Sequence, residues 1–400
     1  MASSSLRVLV ISHAYVVGVN QGKLNAIAKT DKVTVGLFAP SNWKALEWNR
    51  LLELEKPYPN IQIYSAPVFF TGRGGAHFYA PWQIWQVLHN FRPDIVQVEE
   101  EVFSLCTFEL AIWSRFTGKP LVVFGWENMD RKLSLLRCWI RRFVLNTASL
   151  IIAGNQEGGD LLKLWGYKGT IEVMPQIGVD TTLFAPQSGE HNHDEFQIGF
   201  LGRLVPEKGI DILLAAVAKL RHKGLICRII LCGLGTEETA LRQKAEKLQI
   251  ADSVIWRGAV PHDQAPMEMN KFDVLVLPSR TIDTWKEQFG HVLIEAMAMG
   301  IPVVGSTCGE IPNVIARSDL VFEEEDTEGL AAILERMISN PLWRQEIKQY
   351  CWDRVHQNYS HEKIAERLIT LWQSVLQQQS SSTQELSNSK QNEIGGKECV

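Results

Sequence analysis

The chain has 400 residues, which is enough for two domains of ordinary size, each with its own hydrophobic core. Apolar residues make up 46% of the chain and the net charge is −5, so a dedicated nucleic-acid-binding protein, which usually carries a large positive excess, is disfavoured. The seven cysteines are scattered without a Cys-x-x-Cys pair, and we therefore expect reduced thiols, a cytoplasmic protein and no structural metal.

The first 187 residues alternate short apolar runs with amphipathic segments. Met1 to Ser5 lead directly into the first run, so we expect neither a signal peptide nor a membrane-spanning helix. The predicted strands are 7–12, 32–38, 61–68, 94–98, 121–124 and 150–153, and the predicted helices are 23–29, 79–90, 103–116 and 131–145. Strands and helices that alternate in this way form βαβ units on a parallel sheet.

A polar stretch at 188–195 is the predicted hinge, and the same alternation then begins again. The predicted strands are 197–201, 227–232, 254–257, 274–277 and 303–304, and the predicted helices are 209–219, 237–248, 326–339 and 343–356. The pattern therefore predicts an α/β protein with two doubly wound, Rossmann-like domains, 1–187 and 188–357. The tail from 378 to 400 is rich in Gln, Ser and Asn without apolar periodicity, and we expect it to be disordered.

One stretch, from Glu287 to Val304, combines several signals for ligand binding. An apolar segment of helical spacing begins after Gly290 and ends at Gly300, which is followed by a Pro and a short β-branched run. Free backbone N–H groups at such a helix start bind anions such as a diphosphate. Glu287 precedes the helix and Glu295 lies about two turns into it; alternatively, these carboxylates cap or solvate the helix.

A second loop joins the first strand of the second domain to its first helix. Gly202 allows a ligand to approach the backbone, Arg203 offers a planar set of donors and Lys208 a point charge, which together suit a diphosphate leaving group. Alternatively, both cations pair with Glu207 at the surface. Gly233 lies in a further Gly-x-Gly turn.

The spacing Glu-x7-Glu followed by Ala-Met-Ala-x-Gly-x-Pro-Val-Val resembles the signature of the retaining GT-B glycosyltransferases, specifically family 4. The resemblance is dense from Ile198 to Ile315 and implies two Rossmann-like domains that face an interdomain cleft. It also implies a helix at 358–377 that crosses back onto the first domain, and a metal-independent reaction without a cofactor.

The resemblance also implies roles for individual residues. Glu287 lies near the donor sugar, Glu295 binds the ribose, and Arg203 and Lys208 stabilise the departing diphosphate. The further donor-binding residues that it implies are Gly18, Gly202, Gly233, Val260, Phe289, Gly290 and His291.

The first domain departs from the family pattern on the acceptor side. Many relatives carry a His after the fourth or fifth strand, whereas this chain has a run of three Glu residues and a Trp-Glu-Asn sequence there. We predict acceptor-side roles for His13, Glu99, Glu100 and Glu127. The alternative is that these acids only stabilise helix N-termini.

The segment 131–143 interleaves basic and apolar residues in a helical pattern. Such a helix binds an anionic membrane surface, or it is simply packed on one face and solvated on the other. Membrane contact at the inner face of the membrane would favour a lipid-linked acceptor.

The sequence thus predicts a transferase that moves a hexosyl group from a nucleoside diphosphate sugar to a hydroxyl acceptor in a glycolipid or polysaccharide precursor. Two alternative enzymatic interpretations are a sugar-nucleotide epimerase and a phosphorylase, although a phosphorylase needs a pyridoxal-phosphate lysine in a context that this sequence lacks. A non-enzymatic alternative is a catalytically silent sugar-nucleotide-binding subunit.

Overall fold

A computed structural model describes residues 5–45, 50–186 and 195–395 of the chain, with side chains as far as Ser381. Apart from Glu195, the predicted hinge at 188–195 lies outside the described residues. Within the described residues, no helix combines the length and the apolar character needed to cross a membrane.

The first domain is built on a seven-stranded parallel sheet, whose inner strands β1, β7 and β8 are mostly apolar and buried. In chain order its elements are β1 (Leu6–Ile11), α1 (Gly22–Ala28), β2 (Val33–Pro40), β3 (Asn42–Ala45), β4 (Arg50–Glu53), β5 (Gln62–Ala66), α2 (Pro81–Phe91), β6 (Ile95–Glu99), α3 (Leu105–Thr117), β7 (Leu121–Gly125), α4 (Leu135–Leu145), β8 (Leu150–Ala153), α5 (Gln156–Leu164) and β9 (Thr170–Val173). The sheet order is β5-β2-β1-β6-β7-β8-β9, and β3 and β4 form a separate antiparallel hairpin. The strand order therefore reverses between β1 and β6.

The second domain repeats this plan on a six-stranded parallel sheet. Its elements are β10 (Phe196–Leu201), α6 (Ile210–His222), β11 (Cys227–Cys232), α7 (Glu238–Lys247), β12 (Val254–Gly258), α8 (Ala265–Met269), β13 (Val274–Leu277), α9 (His291–Ala298), β14 (Val303–Ser306), α10 (Ile311–Ile315), β15 (Val321–Phe322), α11 (Thr327–Ser339) and α12 (Pro341–Asn358). The sheet order is β12-β11-β10-β13-β14-β15, with its reversal between β10 and β13.

The last helix, α13 (His361–Gly395), returns from the second domain to the first. Its apolar face packs into the core formed by β1, β2 and α1, and the indole N–H of the fully buried Trp372 donates to Gln97 Oε1 at 2.7 Å. The helix continues past residue 378, where the sequence predicts disorder, and its described backbone ends at Gly395. Residues 396–400 lie outside the described part of the chain.

Candidate functional site: the cleft between two switch points

In each domain, the strand order of the sheet places a crevice at the carboxyl ends of the strands. Ligands of doubly wound sheets bind where the strand order reverses, between β1 and β6 in the first domain and between β10 and β13 in the second. The loops after β1 and β6 carry His13 and Glu100, and the loops after β10 and β13 carry Lys208 and Glu287. The acidic, basic and histidine residues noted in the sequence therefore gather at the expected edges of the two sheets.

The predicted helix after Gly290 is present as α9, which starts at His291 and ends at Ala298. Gly290 has a φ of 81°, in the left-handed region, and a Cβ there would lie 2.9 Å from a methyl carbon of Leu277. Within the described residues, no side chain caps the start of this helix, so its first N–H groups and its positive dipole end are available to an anion.

Glu287 is buried in the loop that precedes α9. Its Oε2 accepts hydrogen bonds from Lys208 Nζ at 2.5 Å and from Ser279 Oγ at 3.0 Å. The Lys208 ammonium also lies 4.8 Å from the centre of the Trp285 ring. Two of the three predicted catalytic residues are thus in direct contact, and Ser279 joins them.

Arg203, the third predicted catalytic residue, lies at the edge of the same loop. Its guanidinium is 3.6 Å from Glu207, and 47% of its side chain is exposed. It lines a cavity of about 660 Å³ together with Gly202, Gly233 and Val260. The turn at Gly233 approaches the neighbouring backbone so closely that a Cβ there would lie 1.8 Å from the carbonyl oxygen of Gly202.

Glu295 lines a second cavity of about 520 Å³, to which both domains contribute. His262 Nε2 lies 3.3 Å from Glu295 Oε1, and this hydrogen bond raises the pKa of His262 although partial burial opposes it. His291 is exposed and also lines this cavity. The ring of the buried Phe289 packs 4.9 Å from the ring of His291.

The structure corrects two predictions for the first domain. Glu99 is fully buried, and Lys23, Tyr15, Gln97 and Gln176 all donate to its two oxygens, so it is a core ion-pair partner rather than a cleft residue. The N–H of Gly18, where we predicted phosphate approach, donates instead to Glu55 Oε2 at 2.6 Å.

His13 and Glu100 form the polar centre of the first crevice. His13 Nδ1 lies 2.5 Å from Glu100 Oε1, and the backbone N–H of His13 donates to the same oxygen at 3.0 Å. Burial lowers the pKa of His13 and raises that of Glu100, but their mutual attraction outweighs burial, so the pKa of His13 is raised and that of Glu100 is lowered. His77, which the sequence analysis did not select, lies beside them with Nε2 at 3.6 Å from Glu100 Oε1.

The loops that follow β7 and β13 form the seam between the domains. Glu127 Oε1 accepts from Arg131 Nε at 3.0 Å, and Arg131 in turn donates to the Thr284 carbonyl oxygen of the second domain at 3.2 Å. Asn128 Nδ2 donates to the Glu287 carbonyl oxygen at 3.4 Å. The first domain therefore contacts the backbone of a predicted catalytic residue through Asn128.

Additional seam contacts hold the domains face to face. Lys286 Nζ lies 2.6 Å from Glu157 Oε1, and the N–H of Gln156 donates to Glu310 Oε2 at 2.8 Å. Ser279, Asn128 and His77 were missed because each is a polar residue in an irregular loop, where neither periodicity nor spacing marks it.

Two parallel α/β domains that face each other across a cleft, each with a crevice at its switch point, define the GT-B class of fold. Residues 183–352 match the family model described as glycosyl transferases group 1. The predicted GT-B fold is thereby confirmed, and both crevice loops of the second sheet lie within the matched residues.

Relatives and solved structures agree with this assignment. The chain is 29% identical over 205 residues to the phosphatidylinositol N-acetylglucosaminyltransferase gpi3 subunit of Schizosaccharomyces pombe, covering 51% of this chain and 44% of that protein. It is 28% identical over 231 residues to the GDP-mannose-dependent alpha-(1-6)-phosphatidylinositol monomannoside mannosyltransferase of Mycolicibacterium smegmatis, covering 54% and 59%. The alignments thus span about half the length of these curated relatives.

The fold likeness extends over almost the whole molecule. The crystal structure of Anabaena HepE in complex with UDP superposes with a TM-score of 0.68 at 21% identity, covering 92% of this chain and 100% of that one.

Proposed function

We propose that the protein transfers a hexosyl group from a nucleoside diphosphate sugar to a hydroxyl acceptor, with retention of the anomeric configuration. The observation that carries this proposal is the Lys208–Glu287 pair beside the N-terminus of α9. A cation, a carboxylate and a set of free amides in one crevice provide complementary partners for a diphosphate and its sugar. A nucleotide-sugar donor is also supported by the GDP-mannose dependence of one relative and by the UDP bound in Anabaena HepE.

The proposed catalysis is mainly electrostatic. Negative charge develops on the diphosphate as the bond to the sugar breaks, and Arg203, Lys208 and the amides at Gly290 and His291 stabilise it. Because these groups already supply positive charge, we propose that no metal ion is needed at the diphosphate and that no cofactor is needed besides the donor.

In this proposal, Glu287 contacts the donor sugar and Glu295 contacts the ribose. Glu287 stabilises positive charge on the anomeric carbon or orients the sugar hydroxyls, while Lys208 is shared between Glu287 and the diphosphate. Glu295 accepts from the ribose hydroxyls, and the nucleoside extends toward the cavity of Gly233 and Val260.

The acceptor is proposed to bind on the first domain. His13 lines a cavity of about 440 Å³ together with Trp43, and Glu127 lies at the seam opposite the donor crevice. We propose a glycolipid or polysaccharide-precursor acceptor, which the names of the two relatives support because both contain phosphatidylinositol. An exposed apolar strip on α4 supports peripheral contact with the cytoplasmic face of a membrane.

The experiment that tests this function is a panel of UDP-, GDP- and ADP-sugars, first scored for thermal stabilisation of the protein. The stabilising donor is then incubated with candidate acceptors, and the anomeric configuration of the product is determined by NMR. We expect one donor to stabilise the protein, and Glu287→Gln to abolish transfer while binding persists. Epimerised donor without transfer, or binding without any turnover, would contradict the proposal.

A further inference from the structure

Three side chains that lie far apart in the sequence meet at the first switch point. His13 follows β1, Glu100 follows β6, and His77 lies in the long loop before α2. A ring nitrogen of each histidine and a carboxylate oxygen of Glu100 all lie within 4.8 Å of one another. The cluster belongs entirely to the first domain, and although His13 also lines the cavity proposed for the acceptor, metal binding can be measured without the transfer reaction.

The hydrogen bonds of His77 determine which of its nitrogens carries the proton. His77 Nδ1 lies 2.8 Å from the carbonyl oxygen of Gly74, which can only accept, so Nδ1 carries the hydrogen. Nε2 of this fully buried ring has no hydrogen-bond partner among the described residues. This nitrogen lies 3.6 Å from a carboxylate oxygen of Glu100, so a nitrogen and an oxygen that can both bind a metal ion face each other in a buried gap.

We propose that His13, His77 and Glu100 bind a borderline divalent metal ion, with Zn²⁺ as the expected occupant and a water molecule in the fourth position. Two imidazoles and one carboxylate are a donor set that zinc accepts when one position stays open. The 3.6 Å between His77 and Glu100 is close to the edge of a tetrahedron built on bonds of about 2.0–2.1 Å.

The surroundings of the cluster suit a metal site. His13 Nδ1 lies 2.5 Å from Glu100 Oε1, closer than a tetrahedral edge, so metal binding requires the His13 ring, whose side chain is 23% exposed, to move away from this oxygen. The Gly74 carbonyl orients the His77 ring in the way that outer partners orient zinc-bound histidines. The cavity of about 440 Å³ lined by His13, Trp43 and Gly74 provides a path from solvent.

The test uses the full chain after treatment with EDTA and dialysis. Titration with Co²⁺, followed by its visible absorption, and with Zn²⁺ against a coloured chelator should show one ion per chain, whereas Mg²⁺ and Ca²⁺ should not compete. His77→Ala and Glu100→Gln should each weaken Zn²⁺ binding by more than about 100-fold, beyond the usual effect of losing an outer partner. His222→Ala, which removes an exposed histidine on α6, is the matched control and should bind like the unmodified protein.

Since His77 is buried, His13→Ala provides a second variant if His77→Ala fails to fold. The proposal is overturned if the unmodified chain takes up no Co²⁺ or Zn²⁺. It is equally overturned if the His13 and His77 variants, shown to be folded by circular dichroism, bind both ions as tightly as the His222 control.

Discussion

At the scale of single residues, the three consecutive acids after β6 have three different environments. Glu99 is enclosed by donors in the core, Glu100 faces the two histidines, and Glu101 accepts from the backbone N–H groups of Trp126 and Glu127. The sequence shows that acids follow a strand, and this places them at the crevice edge. The sequence cannot show that Lys23, 76 positions earlier, forms an ion pair with Glu99, because that pairing depends on how α1 packs on the sheet.

We predict that Glu101 makes the stability of the folded protein depend on pH. Burial raises its pKa to about 7 although two backbone N–H groups favour the charged form. The folded protein therefore holds a proton that the unfolded chain loses near pH 4.5, so Glu101 makes stability fall as pH rises from 4.5 to 7. The effect is on the order of 3 kcal/mol. In Glu101→Gln, which keeps an acceptor oxygen, the urea midpoint should depend less steeply on pH in this range.

The control for this prediction is the exposed Glu366→Gln, which should leave the slope unchanged. Glu109, whose pKa burial also raises to about 7, contributes a separate share that Glu109→Gln should remove. An unaltered slope in the Glu101 variant would show that its carboxyl titrates at an ordinary pKa.

A glycine gives a second prediction at this scale. Gly233 has a φ of 150°, and a Cβ there would collide with the Gly202 backbone, which lines the same cavity. Gly224→Ala is the matched control, because Gly224 also has a positive φ but its Cβ would meet nothing within 4 Å. We expect the control to lose about 1 kcal/mol of stability.

Gly233→Ala should lose more stability than this control, and its affinity for the donor sugar nucleotide, measured by calorimetry, should fall at least about tenfold. Equal stability and equal affinity in the two variants would contradict the proposed contact between this turn and the nucleotide.

At the scale of elements, the buried strands were predictable and the elements that depend on local partners were not. β11, β13 and β8 have the predicted bounds because parallel strands are continuous apolar runs. The β3–β4 hairpin was missed because its strands have four residues each, are of mixed polarity and, among the described residues, pair only with each other. α5 was missed because Gly158 and Gly159 lower its helix propensity.

The prediction of peripheral membrane contact concerns the helix α4. Leu135 and Trp139 are 90% and 54% exposed, and Leu136 beside them is also exposed. Arg137 and Arg141 are engaged by the Phe103 and Trp165 rings, so we assign the contact to the apolar strip rather than to these two cations.

The change that tests this assignment is Leu135→Ser combined with Trp139→Ser. It should abolish cosedimentation with vesicles that contain anionic lipid, because the apolar strip supplies most of the buried area. Trp82→Ser with Trp85→Ser, which removes exposed tryptophans from α2, is the matched control and should leave binding intact. Failure of the unmodified protein to bind such vesicles would rule out this surface as a membrane contact.

At the scale of the whole molecule, the sequence predicted two similar domains and the edge of each sheet where ligands bind. It did not predict the seam, because the contacts of Asn128 with Glu287 and of Glu157 with Lys286 join residues more than 120 positions apart. The seam holds the two domains against each other through these contacts, which the proposed transfer between two substrates requires.

The central claim is that Arg203, Lys208 and the start of α9 together stabilise a departing diphosphate. Arg203→Ala tests it most directly because Arg242 is a matched control: both guanidinium side chains are 47% exposed and both pair with a Glu four positions away. The measurement is kcat and the donor dissociation constant for both variants. We predict that Arg203→Ala lowers kcat about 100-fold or more with a much smaller change in donor affinity, while Arg242→Ala behaves like the unmodified enzyme. Equal kcat values for the two variants would contradict the claim.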